Sequence, residues 1–245
     1  MICDARKTLR RLGPLALMML LLLPARPAPA LGSYAEGYAV VRLVKMESSG
    51  VIWDSWEGEL QWASFDPTEE CQETDNACYT PRLDSIAFSI SDETKEASNF
   101  MRTNVGREML IHYKKHLITP IALNTDFEIL EARPWSEAIP EGLAHKLAIE
   151  KSGGKRNFSV YGRILRLERR GVTINTWEGL YLDATKRKVH PFSLRSDEMA
   201  EFITKAMASS VQYNFGVSVA YVATIYDTNY DIFEVNYDEP AGGGE

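Results

Sequence analysis

One stretch of this sequence occurs twice, and that constrains the fold more than any other feature. Residues 42–58 read RLVKMESSGVIWDSWEG and residues 163–179 read RILRLERRGVTINTWEG. At a constant offset of 121, seven of the 17 positions are identical: Arg42/Arg163, Glu47/Glu168, Gly50/Gly171, Val51/Val172, Trp56/Trp177, Glu57/Glu178 and Gly58/Gly179. The match resumes at Phe88-Ser89-Ile90 and Phe192-Ser193-Leu194, offset 104, and at Thr125, Ile129, Glu131 and Thr228, Ile232, Glu234, offset 103. The offset falls by 17 because the first copy has a longer middle loop. A repeat of this length is one supersecondary unit, so both copies should bury the same pattern of side chains. The copies run over about 34–134 and 157–240. Each has enough residues for one small core. Pro134, Pro140 and Ser152-Gly153-Gly154 mark the segment between them, 135–156, as a linker. Within it Glu141–Glu150 is expected to form a short helix. The Gly-rich end, 241–245, is expected to be a flexible tail.

The element order reads the same way in both copies. An aliphatic strand (Tyr38–Glu47, Val160–Glu168) leads through a Gly turn into a second strand (Val51–Trp62, Val172–Leu182). Strands around such a turn read as a hairpin. A third strand follows (Ile86–Ile90, Pro191–Leu194). Ser91-Asp92-Glu93 and Ser196-Asp197-Glu198 look like helix N-caps, with helices over about 92–104 and 197–209. Met109, Ile111 and Tyr113 recur at every second position, as Val211, Tyr213 and Phe215 do, which is strand periodicity. Last strands cover Phe127–Ala132 and Tyr230–Tyr237. The order β-β-β-α-β-β, twice, predicts a mainly β (α+β) chain, a tandem of small OB-like five-stranded barrels. An SH3-like barrel or an α+β sandwich is the alternative.

The first 30 residues stand apart from this pattern. Arg6, Lys7, Arg10 and Arg11 precede an apolar run, Leu12–Leu23, and then Ala28-Pro29-Ala30. That succession reads as a secretory signal peptide. The apolar run is too short for a membrane-spanning helix. The expectation is an exported protein of the periplasm or cell envelope, or one fully secreted, with no transmembrane segment after cleavage. Removing residues 1–30 leaves 22 basic against 33 acidic residues, a formal charge of −11. No basic stripe is apparent, and such a surface repels phosphate backbones. Nucleic acid is therefore not expected as a partner; an unknown protein, a glycan or a peptide is. Cys71 and Cys78 lie in a polar insertion that the second copy lacks. In an oxidising compartment they are expected to pair, closing a loop worth about 2.5 kcal/mol.

The Trp-Glu-Gly motif presents a conflict of phase. If Val172 and Ile174 face the core, strict alternation turns Glu178 inward and Trp177 outward; Glu57 and Trp56 follow suit. Burying a carboxylate without a partner costs several kcal/mol. One reading places a β-bulge just before the Trp. Trp56 and Trp177 then enter the core, and Glu57 and Glu178 point out toward Arg42 or Arg163. The other keeps the register. Trp56 and Trp177 are then stacking platforms on an open face, with Glu57 and Glu178 as acceptors beside them, and these four are the candidate ligand-binding residues.

His112 and His116 share a strand face, with Glu108 the one nearby acid in phase. A metal needs a third ligand, so no metal site is expected. No phosphate loop, dinucleotide fingerprint, Gly-x-Ser-x-Gly or His-Glu-x-x-His occurs. Neither a catalytic residue nor a cofactor is implied.

The stretch Gly50–Leu60, with Phe88–Asp92 and Gly106–Tyr113, resembles a family of uncharacterised bacterial exported proteins. Its members carry a G-(L/V)-I-x-x-(T/S)-(Y/W)-E-G-E-L strand, a Phe-Ser-Val strand, a helix and a Gly-Lys-x-Val-x-Leu-x-Tyr strand. The second copy departs from that pattern at Leu180. The resemblance implies no established activity or ligand. The expected function is a non-enzymatic binding or scaffolding module of the cell envelope. An envelope hydrolase acting on glycan or peptide, or a structural subunit of an envelope complex, is the alternative.

Overall fold

The computed structural model describes residues 33–49, 55–65, 79–151, 153–221 and 225–237. The expected signal peptide, the Cys71–Cys78 insertion and the tail lie outside these residues. The described chain is mainly β, as the residue pattern predicts. In the first copy β1 (Ser33–Ser49), β2 (Ser55–Phe65) and β3 (Pro81–Ile90) precede helix α1 (Lys95–Arg102), and β4 (Glu108–His116) and β5 (Phe127–Pro134) follow it. After a short β6 (Lys146–Ala148), the order repeats: β7 (Gly154–Arg170), β8 (Thr176–Asp183), β9 (Lys188–Leu194), α2 (Asp197–Ala206), β10 (Tyr213–Ala220) and β11 (Tyr230–Asn236).

In the first copy β1 pairs with both β2 and β4, β2 with β3, and β4 with β5, all antiparallel. One parallel pair, Ser89 with Glu128, joins β3 to β5, so the five strands form a continuous circuit. In the second copy β7 pairs with β8 and β10, β8 with β9, and β10 with β11. The copies share one sheet, because β1 pairs with β7 from Ala35–Arg170 to Ala39–Arg166. The segment expected as a short helix instead carries β6, which pairs with the edge of β11. Pro140 and the positive φ of Gly142 break the segment into turns, and the open edge of β11 supplies the backbone partners that a strand needs.

Each copy has its own core. In the first, Val41, Leu43, Leu60, Phe88, Ile111 and Tyr113 are buried together. In the second, Ile164, Leu167, Tyr181, Phe192, Ile203 and Phe215 are. Val40 and Leu110 of the first copy also join the second core, across the shared sheet. Two expectations about local structure change. Ser196 caps α2 by accepting from Met199 N at 3.2 Å, but Ser91 makes no side-chain cap, because a 3-10 turn (Asp92–Thr94) intervenes before α1. The second strand of the second copy begins at Thr176 and not at Val172. Val172 and Ile174 lie in the preceding loop, 72% and 57% exposed.

Candidate functional site

That late strand start removes the premise of the phase conflict. Val172 and Ile174 set no core face, and Val51 and Trp53 lie outside the described residues. Among the described residues no bulge precedes either Trp. Instead, each copy bulges on its first strand, between Leu43 and Lys45 opposite Leu60/Glu59, and between Ile164 and Arg166 opposite Tyr181/Leu180. These positions match under the 121-residue offset, so the bulge was duplicated with the sequence. The reading with Trp in the core and Glu outside is therefore corrected for the second copy, where Glu178 is 4% exposed.

The buried Glu178 is satisfied. Ser193 Oγ donates to its Oε2 at 2.5 Å, the Asp227 backbone N–H donates to Oε1 at 3.3 Å, and Thr176 also donates. Burial pushes its carboxyl above the usual range, and these bonds and Arg170 pull partly back. Thr228 N donates to Ser193 Oγ at 3.1 Å, which ties the approach to β11 into the same knot. The first copy repeats it. Ser55 and Ser89 donate to Glu57 at 2.7 and 2.6 Å, and Thr125 N donates to Ser89 Oγ at 3.0 Å. The motif glycine belongs to the same construction. A Cβ on Gly58 would lie 2.6 Å from Phe88 Cζ, and one on Gly179 would lie 2.3 Å from Phe192 Cζ. The Trp-Glu-Gly and Phe-Ser motifs thus meet across β2–β3 and β8–β9 as one clasp.

Trp56 and Trp177 are half-buried beside the helices. Arg102 of α1 lies 5.6 Å from the Trp56 ring, and Trp177 Nε1 donates to Asp197 at 2.7 Å, at the start of α2. Neither motif Glu pairs with Arg42 or Arg163. Arg42 lies 3.6 Å from Glu108, and the Arg163 guanidinium sits over Trp135 at 5.1 Å. His112 and His116 go to Glu36 and Glu128 at 3.1 and 2.8 Å. Among the described residues no group of three or more His, Cys, Asp or Glu is arranged to hold a metal.

Two hollows lie at the junction of the copies. The first, about 230 Å³, is lined by Glu168, Glu178, Arg166, Arg170, Asp227 and Phe65, among others. Glu168 and Glu178 are cross-strand partners in the β7–β8 ladder, as Glu47 and Glu57 are in β1–β2. Like charges so placed repel. Here Tyr113 of the first copy donates to Glu168 at 2.5 Å, and Arg170 pairs with both Glu168 and Asp227. The sequence reading missed Glu168, although its identity with Glu47 under the repeat was the available signal. Tyr113, Arg170 and Asp227 have no such signal, because the long-range contact that recruits them is invisible in one chain.

The second hollow is a groove of about 500 Å³. It opens where the β1–β7 ladder stops. Beyond Ala39–Arg166 the same register would oppose Arg42 with Arg163, and both line the groove instead. Its walls are mostly apolar, including Val40, Val41, Leu165, Leu182, Val189 and Trp62.

A family model described as a domain of unknown function (DUF8785) matches residues 32–139 and 153–242. No curated protein matches the chain. Among solved structures, a deletion mutant of the single-stranded DNA binding protein from Thermus aquaticus is similar to 87% of this chain and 99% of its own, at 11% identity and a TM-score of 0.25. The exclusion of nucleic acid drawn from net charge is withdrawn on the distribution of that charge. A total of −11 averages over the chain, whereas β7 alone carries six basic residues among 17: Lys155, Arg156, Arg163, Arg166, Arg169 and Arg170.

Proposed function

The chain belongs to the family of the domain of unknown function DUF8785, and from that premise we propose that it is a non-enzymatic binding module of the bacterial cell envelope, built from two fused OB-like units. The OB-like reading is supported by the strand circuit of the first copy, β1-β2-β3-β5-β4 with a helix between the third and fourth strands, and by the same order in the second. Export is supported by the charge, apolar run and small residues of positions 1–30. The binding reading is carried by one observation, the groove between the copies. Its volume lies within the range of small-ligand sites, and it combines apolar walls with a few polar groups, as such sites do. The repeated motif acids, by contrast, are engaged in holding strands together.

The test is native mass spectrometry of the chain isolated from a bacterial envelope fraction. The expected result is a retained small molecule that Ala63→Trp, a substitution on the groove wall, displaces. A wild-type chain recovered without any such molecule, and without a thermal shift against a panel of small ligands, overturns the binding reading. Recovery in a fixed-stoichiometry complex unaffected by Ala63→Trp favours the structural-subunit reading instead.

A further inference from the structure

We infer that the groove between the two copies binds a single-chain amphiphilic monoanion, a carboxylate head on Arg163 with an aliphatic tail along the β1–β7 opening; this deepens the binding reading above and rests on it. The head group follows from the state of the arginines. Arg82 is held by Asp84 at 2.9 Å, and Arg42 leans on Glu108 at 3.6 Å. Arg163 has no carboxylate partner among the described residues. Its guanidinium is fixed over the Trp135 ring at 5.1 Å, and its Nε–H is buried with no hydrogen-bond acceptor. Trp135 is itself held, donating from Nε1 to Ser209 O at 3.2 Å. Nε is closed to solvent, whereas the two terminal nitrogens of the guanidinium are not buried, so these are the donors an incoming anion reaches.

The charge count sets the valence. With the charge of Arg82 offset by Asp84, the other charged residues of the lining, Arg42, Arg163 and Glu108, leave one net positive charge. A single negative charge neutralises it, whereas a phosphate monoester leaves one in excess. A carboxylate presents two oxygens in the plane that a guanidinium fork matches. The tail follows from the walls. Val40, Val41, Leu165, Leu182 and Val189 are aliphatic, and Leu83 stands 61% exposed where it lines the same groove. Exposed aliphatic surface continuous with a cavity marks a place where apolar matter is covered.

The probe is dodecanoate, titrated calorimetrically into the chain lacking residues 1–30, with dodecanol and acetate as comparison ligands. Dodecanoate is expected to bind, dodecanol about 10- to 100-fold more weakly, and acetate not measurably. Arg163→Gln is expected to weaken dodecanoate by the same factor and to leave dodecanol unchanged. Because Arg163 also packs on Trp135, Leu83→Glu provides a second arm at an exposed position that is not in either core; it is expected to weaken dodecanoate at least about tenfold by repelling the head and interrupting the wall. Dodecanol binding as tightly as dodecanoate, or Arg163→Gln retaining full affinity while folded, overturns the anionic class and leaves the binding reading standing. Absence of binding by both twelve-carbon ligands overturns the groove as an amphiphile site, and the retained-molecule experiment then decides the binding reading separately.

Discussion

Ser193 Oγ donates to Glu178 Oε2 at 2.5 Å across β8 and β9, and the same atom accepts the backbone N–H of Thr228 ahead of β11. One hydroxyl thereby joins three strands of the second copy. Ser89 does the same for Glu57 and Thr125 in the first. Duplication has preserved a polar connection where the third strand approaches the fifth. In the first copy a single parallel backbone pair also crosses there, Ser89 with Glu128.

Removing that hydroxyl should therefore cost more than its own hydrogen bond. Ser193→Ala takes a donor from a buried carboxylate and the acceptor from Thr228 N. The expected loss is about 2–4 kcal/mol, more than the net worth of one bond, because the carboxylate that loses its donor remains buried. Ser89→Ala should cost less, since Glu57 is half-buried and its other oxygen keeps Ser55. Urea denaturation of the two variants measures the difference, and equal costs would contradict the clasp as described.

The glycine of the motif makes a sharper prediction. A Cβ at position 179 would meet Phe192 Cζ at 2.3 Å and Arg166 O at 2.7 Å. Gly179→Ala must displace a ring that is fully buried in the core. Overpacking of this kind costs typically 1–3 kcal/mol. Phe192→Leu alone should also destabilise by leaving a void. The double variant should be more stable than the sum of the two losses, because the leucine vacates the space that the new methyl needs. Strict additivity in thermal melts would show that the two residues do not share that space.

The element order and both cores were legible because the duplication supplies two readings of one pattern. Met109, Ile111 and Tyr113 alternate into the core as their period requires. The fate of the Trp-Glu-Gly motif was not legible. Val172 and Ile174, whose spacing suggests strand alternation, belong to a loop beginning at Gly171, where φ is +137°. Four residues of misplaced strand start were enough to put the bulge on the wrong strand. The inward Glu178 also contradicts the usual cost of burying a carboxylate, and only the donors from Ser193, Thr176 and the Asp227 backbone explain it. The groove depends on where the β1–β7 ladder stops, which no local pattern encodes.

His190 predicts the acid limb of stability. It lies between Tyr79 and Tyr181, with ring centroids at 4.4 and 5.3 Å, tilted against the first and stacked on the second, and burial pushes its imidazole down to about 4. The unfolded chain has an ordinary imidazole near 6.5. Below that value the unfolded state binds a proton that the folded state refuses. Stability should then fall as pH drops from about 6.5 toward 4, where the folded imidazole also protonates. Since the ring is partly open to solvent, the loss is expected to be about 1–2 kcal/mol. His190→Phe keeps the stacking and cannot titrate, so its stability should be flatter over that interval. Chemical denaturation at pH 7, 6, 5 and 4 compares the two slopes.

The contact between the copies can be weighed through Tyr113 and Glu168. Tyr113 belongs to β4 of the first copy and is fully buried; its hydroxyl donates to Glu168 on β7 of the second. Burial beside that carboxylate raises the phenol well above its ordinary range, so it remains a donor at any pH the fold tolerates. Tyr113→Phe leaves the ring, which stacks on Phe127 at 4.6 Å, in place and removes only the donor. Glu168 keeps Arg170 at 3.5 Å, so the expected cost is about 1.5–3 kcal/mol, the range for a hydrogen bond to a charged group. Glu168→Gln should cost less, because it also relieves repulsion with Glu178 across the ladder. In a double-mutant cycle the two should couple by about 1 kcal/mol, since Tyr113→Phe removes a bond that Glu168→Gln strips of its charge. If the copies are held together chiefly by this bond and the five-pair β1–β7 ladder, Tyr113→Phe should also speed hydrogen exchange at Ala35–Ala39 before it affects Val217 and Val219 in the second core. Uniform acceleration across both copies would show instead that the fused sheet opens only as a whole.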